Sequence, residues 1–297
     1  MFGLCNMIVY FNGRLVEKEK VAISPDDRGF LFGDGVYEVI RAYGGRLFKM
    51  ADHLERLAFG LRELRIGGID ARDIEPVANR LLQENKLEQS DALLYVQITR
   101  GAAPRDHRFP PPQTASTVYA ACKPCSSPVE QQQKGALAII VPDQRWARCD
   151  IKTVGLLPNV LAHQQACEEG AFEAIFSRDG VLQEGTHSGI LFVKDGLVVC
   201  PPLTNHLLPS ITRKVLLSAA SAESIHTAIR PCYEKEVFHF DEILMVGTGV
   251  EVIPITTING RSIANGAPGP ITRRLQSAFQ RLANPPAPKS DAPNPVG

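Results

Sequence analysis

Lys123-Pro124-Cys125-Ser126-Ser127-Pro128-Val129-Glu130-Gln131-Gln132-Gln133-Lys134 is the stretch that divides this chain. Its prolines, serines and consecutive glutamines offer little apolar surface to pack, so it reads as a connection between two compact units. The organisation expected from it is an N-terminal unit over residues 1–122, the connection over 123–134, and a C-terminal unit over 135–283. A Pro/Ala-rich tail over 284–297 is too poor in apolar residues to order itself. The length agrees, since 297 residues at 44% hydrophobic content can bury a large core and suit two units better than one.

On both sides of the connection, short apolar runs are punctuated by turn dipeptides. Asn12-Gly13 and Gly44-Gly45 precede it, and Asp179-Gly180, Asp195-Gly196 and Asn259-Gly260 follow. Each can close a tight hairpin, so much of the sheet is expected to be antiparallel. Helical stripes lie between them: Leu54, Leu57, Ala58, Leu61 and Leu64 share one face, as do Ile74, Val77, Leu81 and Leu82. Beyond the connection, the pattern predicts a strand over 136–141 and a helix over 160–169 that Gly170 can cap. A helix starting near Ser210, a strand over 243–246 and a last helix over 271–282 complete it. Mixed elements of this kind predict an α+β fold.

Thirty-two basic residues balance thirty-two acidic ones, so no long-range field gathers nucleic acid or an anionic membrane. A small-molecule ligand is the better expectation. The apolar start from Met1 to Phe11 lacks a basic region and is broken by Asn6, which argues against a secretory signal. No window reaches the length of a membrane span, and a cytoplasmic protein is expected. The seven cysteines, scattered from Cys5 to Cys232, do not read as a disulfide framework. Cys122 and Cys125 form a C-x-x-C with no second pair to complete a zinc set, so no metal is expected there.

Four places could carry chemistry. Lys152 has apolar neighbours in Ile151, Val154, Leu156 and Leu157, so its amine is expected to be partly desolvated and able to attack a carbonyl. Glu184 ends a short strand, where it could face a heterocycle nitrogen. Leu208-Pro209-Ser210-Ile211-Thr212-Arg213 announces a helix start whose free N–H groups and Thr212 hydroxyl can hold a phosphate. The loop Gly247-Thr248-Gly249 could add backbone amides to the same anion. Arg105-Asp106-His107 lies in a loop after a strand ending near Thr99, and its guanidinium and imidazole could grip a carboxylate. Taken singly, each has a plain explanation: a snorkelling lysine, a solvated turn, an unliganded helix start, a polar surface loop.

Their order and spacing say more. The relevant segments begin with Asp27-Arg28-Gly29, Phe32-Gly33-Asp34-Gly35-Val36-Tyr37-Glu38-Val39 and His53-Leu54-Glu55-Arg56-Leu57. Gln97-Ile98-Thr99-Arg100-Gly101 with Pro104-Arg105-Asp106-His107 follows, then Arg145-Trp146 with Arg148-Cys149-Asp150-Ile151-Lys152. Glu184-Gly185, Ile211-Thr212-Arg213 and Glu251-Val252-Ile253-Pro254 complete the set. From about Val9 to Leu282 the chain resembles the class IV, fold-type IV pyridoxal-phosphate enzymes, and among them the bacterial D-amino-acid transaminases.

The resemblance implies a smaller N-terminal α/β sandwich and a larger C-terminal domain with a barrel-like sheet. It implies pyridoxal 5'-phosphate held as a Schiff base on Lys152, whose freed amine then shuttles the substrate α-proton. Glu184 would pair with the pyridine nitrogen. Arg56, Ile211, Thr212 and Thr248 match phosphate-binding positions, and Leu208 matches the apolar contact to the ring. Arg105 and His107 match the pair that, with Tyr37, traps the substrate α-carboxylate, typically reaching in from the neighbouring subunit, so a homodimer is implied. The substrates implied are a D-amino acid such as D-alanine and a 2-oxo acid such as 2-oxoglutarate. The run Gly185-Thr186-His187-Ser188-Gly189 departs from the relatives' usual Gly-Ser/Thr-x-Ser-Asn.

Other activities share the scaffold. A 4-amino-4-deoxychorismate lyase needs the lysine and glutamate but no arginine–histidine trap. An R-selective amine transaminase takes substrates without the carboxylate, and a branched-chain L-aminotransferase places the carboxylate elsewhere. The Pro104-Arg105-Asp106-His107 loop favours the D-amino-acid reading. A non-catalytic pyridoxal-phosphate carrier would need no such grip.

Overall fold

In the computed structural model, which describes residues 7–285, all five turn dipeptides close hairpins. Both residues of each have positive φ, for instance 46° and 88° at Asn12-Gly13. This is the backbone that matches strand twist and that Asn, Asp and Gly adopt at least cost. Most of the Pro/Ala-rich tail, from residue 286 on, lies outside the described residues, as does Cys5.

The first sheet holds β1 (Ile8–Phe11), β2 (Arg14–Glu17), β3 (Gly35–Tyr43), β4 (Arg46–Leu47), β5 (Ala92–Thr99) and β6 (Thr117–Pro124). Its order is β2-β1-β6-β5-β3-β4, antiparallel throughout. After α1 (Arg28–Phe32), two amphipathic helices, α2 (Met50–Glu63) and α3 (Ile74–Glu84), bury their stripes in one core with the sheet. In β5, Ala92, Leu94, Val96 and Ile98 are buried at alternate positions, as a strand with one core face requires.

The expected connection holds more structure than its composition suggests. β6 runs through Pro124, and a helix, α4 (Val129–Lys134), follows. Polar bonds rather than apolar surface anchor it, since Gln132 Nε2 donates to Glu251 Oε2 at 2.8 Å.

The second sheet holds β7 (Ala136–Pro142), β8 (Glu173–Arg178), β9 (Val181–Gly185), β10 (Gly189–Lys194) and β11 (Leu197–Cys200). β12 (Thr227–Ile229), β13 (Cys232–Tyr233), β14 (Glu242–Gly247), β15 (Glu251–Ile258) and β16 (Arg261–Ser262) complete it. The order is β12-β11-β10-β14-β15-β7-β8-β9-β13, with β16 on β15. Here β7/β8, β7/β15 and β11/β12 pair in parallel, which the hairpin signals alone did not suggest.

Four strands separate β9 from β10 in this sheet, yet only Thr186, His187 and Ser188 join them. In a flat sheet the two would stand about 24 Å apart. The joining residues can span at most about 14 Å. The sheet therefore curls into a half-barrel, and the β9–β10 turn lies at its mouth. Helix α5 (Leu157–Glu168) covers β7 and β8 through Ala162 and Ala166. It begins earlier than the pattern predicted because Pro158 suits a first turn. Helices α6 (Ile211–Ala222) and α7 (Pro270–Ala283) cover the far face of β14, whose Leu244 and Val246 point to them while Ile243 and Met245 point inward.

The two halves exchange residues. Ile151 packs in the first core, and Tyr43 and Phe48 pack with α6 and α7. Between them sits the buried Glu251 carboxylate, which accepts from Tyr43 Oη at 3.0 Å, Ser127 Oγ at 3.1 Å and Gln280 Nε2 at 2.7 Å. Arg41, with its side chain only 2% exposed, brings Nη1 to 3.2 Å from the same carboxylate. Arg41 Nη2 also reaches the half-exposed Asp91 carboxylate at 3.3 Å, so without Glu251 the guanidinium would keep only that outer partner for its buried charge. Glu251→Gln is expected to cost about 3–5 kcal/mol in urea unfolding. A loss below about 1 kcal/mol would show that Arg41 does not depend on it.

Candidate active site

The Lys152 segment is sewn to the open edge of β3. Lys152 O accepts from Tyr37 N at 3.0 Å, Val154 N donates to Gly35 O at 3.1 Å, and Val36 pairs with Thr153 as a β-bridge. Because β4 covers β3 only at Ala42 and Tyr43, the Gly35–Tyr37 end is free to take this strap. Ile151 turns inward to the first core, and Lys152 turns out to a cavity, where its Nζ donates to Tyr37 Oη at 3.3 Å. Gly60 lets α2 approach: a Cβ there would stand 2.9 Å from Val36 Cγ1.

That cavity, of about 290 Å³, lies between the strap and the half-barrel mouth. Tyr37, Arg56, Lys152, Glu184, Leu208, Ile211 and Thr248 all line it. Glu184, at the end of β9, is 6% exposed. Arg145 Nη1 donates to its Oε1 at 2.5 Å, and Leu208 N donates to its Oε2 at 3.2 Å. Burial pushes this carboxyl up to about 7, outweighing the lowering by Arg145. Arg145 gives only part of its charge to Glu184, because Asp143 also holds it, through Nε at 2.9 Å and Nη2 at 3.1 Å.

The other end of the cavity is rich in donors. Ser210 caps α6, its hydroxyl accepting from Arg213 N at 3.2 Å, and the first-turn N–H groups have no intrahelical acceptors. Arg56 is fixed by Glu38 through bonds of 2.6 and 2.9 Å and donates to Pro209 O at 3.0 Å. His53 Nδ1 lies 2.8 Å from the same Glu38 carboxylate. Burial would raise Glu38, but the Arg56 charge and the bonds from His53 and Arg56 overcome it and hold the carboxyl down to about 2. A fixed cation, a helix N-terminus and the Thr248 loop thus converge where an anion could bind.

Not every expected residue meets there. Thr212 is buried in the first turn of α6 and does not line the cavity. Arg105 and His107 are exposed and lie beside Phe32, at 5.3 and 5.4 Å from its ring centre. Arg28 Nη1 pins their loop by donating to Asp106 O at 2.6 Å. His107 borders a neighbouring cavity that shares Trp146 and Gly155 with the first. Within one chain, the pair does not reach Tyr37's cavity.

The sequence reading gave Arg145 no role. Its signal was the Asp143-x-Arg145 spacing, which lets an aspartate grip an arginine two residues on. Cys122 and Cys125 show no reactive signature, since burial pushes the Cys122 thiol up to about 12 and raises Cys125 as well.

The cavity therefore combines a primary amine, a buried carboxyl near neutrality and a donor-rich end. Known proteins carry the same frame. The amino-transferase class IV family matches residues 35–258. A D-alanine aminotransferase of Bacillus licheniformis is 41% identical over 276 residues, covering 92% of this chain and 96% of the relative. Among solved structures, the branched-chain amino acid aminotransferase of Escherichia coli has a TM-score of 0.87 at 24% identity, over 97% of each chain. A hypothetical aminotransferase of Mycobacterium tuberculosis, solved in its PLP-bound form, has a TM-score of 0.82 at 20% identity, over 93% of this chain and 98% of that one. The fold, the span of the family match and the identity to the Bacillus enzyme together establish that the chain belongs to the class IV aminotransferases.

Proposed function

We propose that this aminotransferase uses pyridoxal 5'-phosphate to move an amino group between a D-alanine-like D-amino acid and a 2-oxoglutarate-like 2-oxo acid. The observation that carries the reading is one cavity holding both Lys152 and the buried Glu184, in a chain 41% identical to a D-alanine aminotransferase. The donor set fits the cofactor: Lys152 Nζ for its aldehyde, Glu184 for its ring nitrogen, and Arg56, Ile211, Thr212 and Thr248 around its phosphate. Leu208 would contact the ring face. Among these, Thr212 acts only through the helix turn it belongs to.

When bound, the cofactor supplies an aldehyde and an electron-poor ring that accepts the pair left by the departing α-proton. The chain's own residues do the rest. Lys152 Nζ, held beside the Tyr37 hydroxyl, would, once released from the aldehyde, take the α-proton and deliver it to the carbon that carried that aldehyde. Glu184 would keep a proton on the ring nitrogen, since a buried carboxyl lifted to about 7 gains from a cationic N–H donor. Arg105 and His107, with Tyr37, would hold the substrate carboxylate and so fix which face of the α-carbon meets Lys152.

That last role needs a second subunit, because this pair stands outside its own chain's cavity. A homodimer is supported by the exposed apolar side chains of Phe30, Leu157, Val160 and Leu161, which a second chain could cover. We place the protein in the cytoplasm, where its six described free thiols would stay reduced. No helix among the described residues is long and apolar enough to cross a membrane.

D-alanine is expected to shift the cofactor absorbance of the holoprotein and L-alanine to leave it unchanged, with Lys152→Ala losing both band and turnover. A shift driven by L-leucine and not by D-alanine would overturn the D assignment. Arg105→Ala is expected to raise KM for D-alanine by roughly 30-fold or more, the loss of a charge-paired anchor. Wild-type kinetics in that variant would remove Arg105 from the site.

Glu184 also predicts a pH dependence in the cofactor-free protein. Its folded-state value is raised from 4.5 to about 7, so between these limits the folded chain holds a proton that the unfolded chain has released. Stability should therefore fall as pH rises through this window, by about 3 kcal/mol. Glu184→Gln should lack that slope, and equal slopes in chemical denaturation of the two proteins would contradict the assignment.

A further inference from the structure

Glu173 on β8 is fully buried and has no lysine or arginine partner among the described residues. Ala174 N and Thr186 N donate to its Oε1 at 3.0 Å each, and Thr186 Oγ1 does so at 2.5 Å. Ser188 Oγ donates to Oε2 at 2.7 Å. These donors are neutral, so they orient the carboxylate without cancelling its charge. Two imidazoles face it as well: His187 Nδ1 lies 3.2 Å from Oε2, and His163 Nδ1, from α5, lies 3.9 Å from Oε1.

We propose that His163, Glu173 and His187 form a binding site for a divalent transition metal of the zinc class at the half-barrel mouth. One ligand atom from each residue falls within 4.8 Å of the other two. Tetrahedral zinc with N and O ligands sets them about 3.4 Å apart. The carboxylate is the rigid member, and the half-exposed histidine side chains would close the remaining distance by giving up their contacts to Thr186 Oγ1, at 3.4 Å from His163 Nδ1 and 3.1 Å from His187 Nδ1. Two imidazoles and one carboxylate are a ligand set that binds zinc in other folds, with a fourth position left to water. The Thr186 and Ser188 hydroxyls supply the outer hydrogen bonds that hold a ligating carboxylate in place. The turn is built tightly around that group, since a Cβ on Gly185 would lie 2.7 Å from Glu173 Oε2.

The site adjoins the cofactor cavity without belonging to the amine and acid that work there. Thr186, His187 and Ser188 line that cavity with their own atoms. A metal would tie this turn to α5, fixing one wall of the cavity from outside. The site stands on these residues and does not require the proposed substrate.

The test is zinc titration of the chelator-stripped holoprotein at about pH 7.5. One zinc per chain should bind, and the thermal midpoint should rise. His163→Ala and His187→Ala should each weaken binding by tenfold or more and lose the midpoint rise. Cys167→Ser, which removes the exposed thiol of the same helix, should bind as the wild type does. Cobalt should give the absorption of a nitrogen and oxygen site without a thiolate charge-transfer band. Absence of stoichiometric zinc, binding indifferent to both histidine variants, or binding lost in Cys167→Ser would each overturn the proposal.

Discussion

The pairing of the Lys152 strap with the free edge of β3 is the constraint on which the site depends. Two backbone bonds, Tyr37 N to Lys152 O and Val154 N to Gly35 O, place a residue of the second half against a strand of the first. Alternation along the strap does the rest: Ile151 is drawn into the first core, so Lys152 turns the other way, beside the Tyr37 hydroxyl. The Glu251–Arg41 network and the Tyr43 and Phe48 side chains hold the two sheets at the spacing this pairing needs. The amine is thus positioned by rigid elements on both sides, although it sits in a loop.

Two buried carboxylates in the site show how one type of partner gives opposite outcomes. Glu38 has the Arg56 guanidinium through two bonds and an imidazole besides, and it is driven down to about 2. Glu184 has one arm of Arg145, whose other bonds go to Asp143 and the His206 carbonyl, and burial lifts it to about 7. The difference suits their places. Glu38 stays charged and fixes the Arg56 guanidinium at the cavity, while Glu184 is poised to exchange a proton or accept a cationic donor. Glu173 is a third case, a buried carboxylate that neutral donors orient with two histidines alongside.

The curl of the second sheet is what makes the cavity. β9 carries Glu184 and β10 begins after only three residues, so closing the sheet sets the acid, the turn and the α6 N-terminus around one space. The cost of exposing that mouth is reduced by α5 on one side and the strap on the other. The exposed apolar residues of α5 and the Arg105 loop both lie outside this shell, where a second subunit could use them.

Much of this was legible in the residues themselves. The hairpin dipeptides carry their own positive-φ preference, the helical stripes their own period, and Ser210 its own cap, because these are interactions among neighbours in the chain. Lys152 stood out by its apolar flanks, and the ordered motifs placed it in a family. Other features were decided only by folding: the parallel pairs of β7, the role of Arg145, the helix in the expected connection, and the meeting of His163, Glu173 and His187. Each joins groups far apart in the chain or depends on how much water is excluded around a charge. Local sequence sets which conformations a segment prefers, but only the packed sheet decides which distant charges share a dry space, and so what each can do.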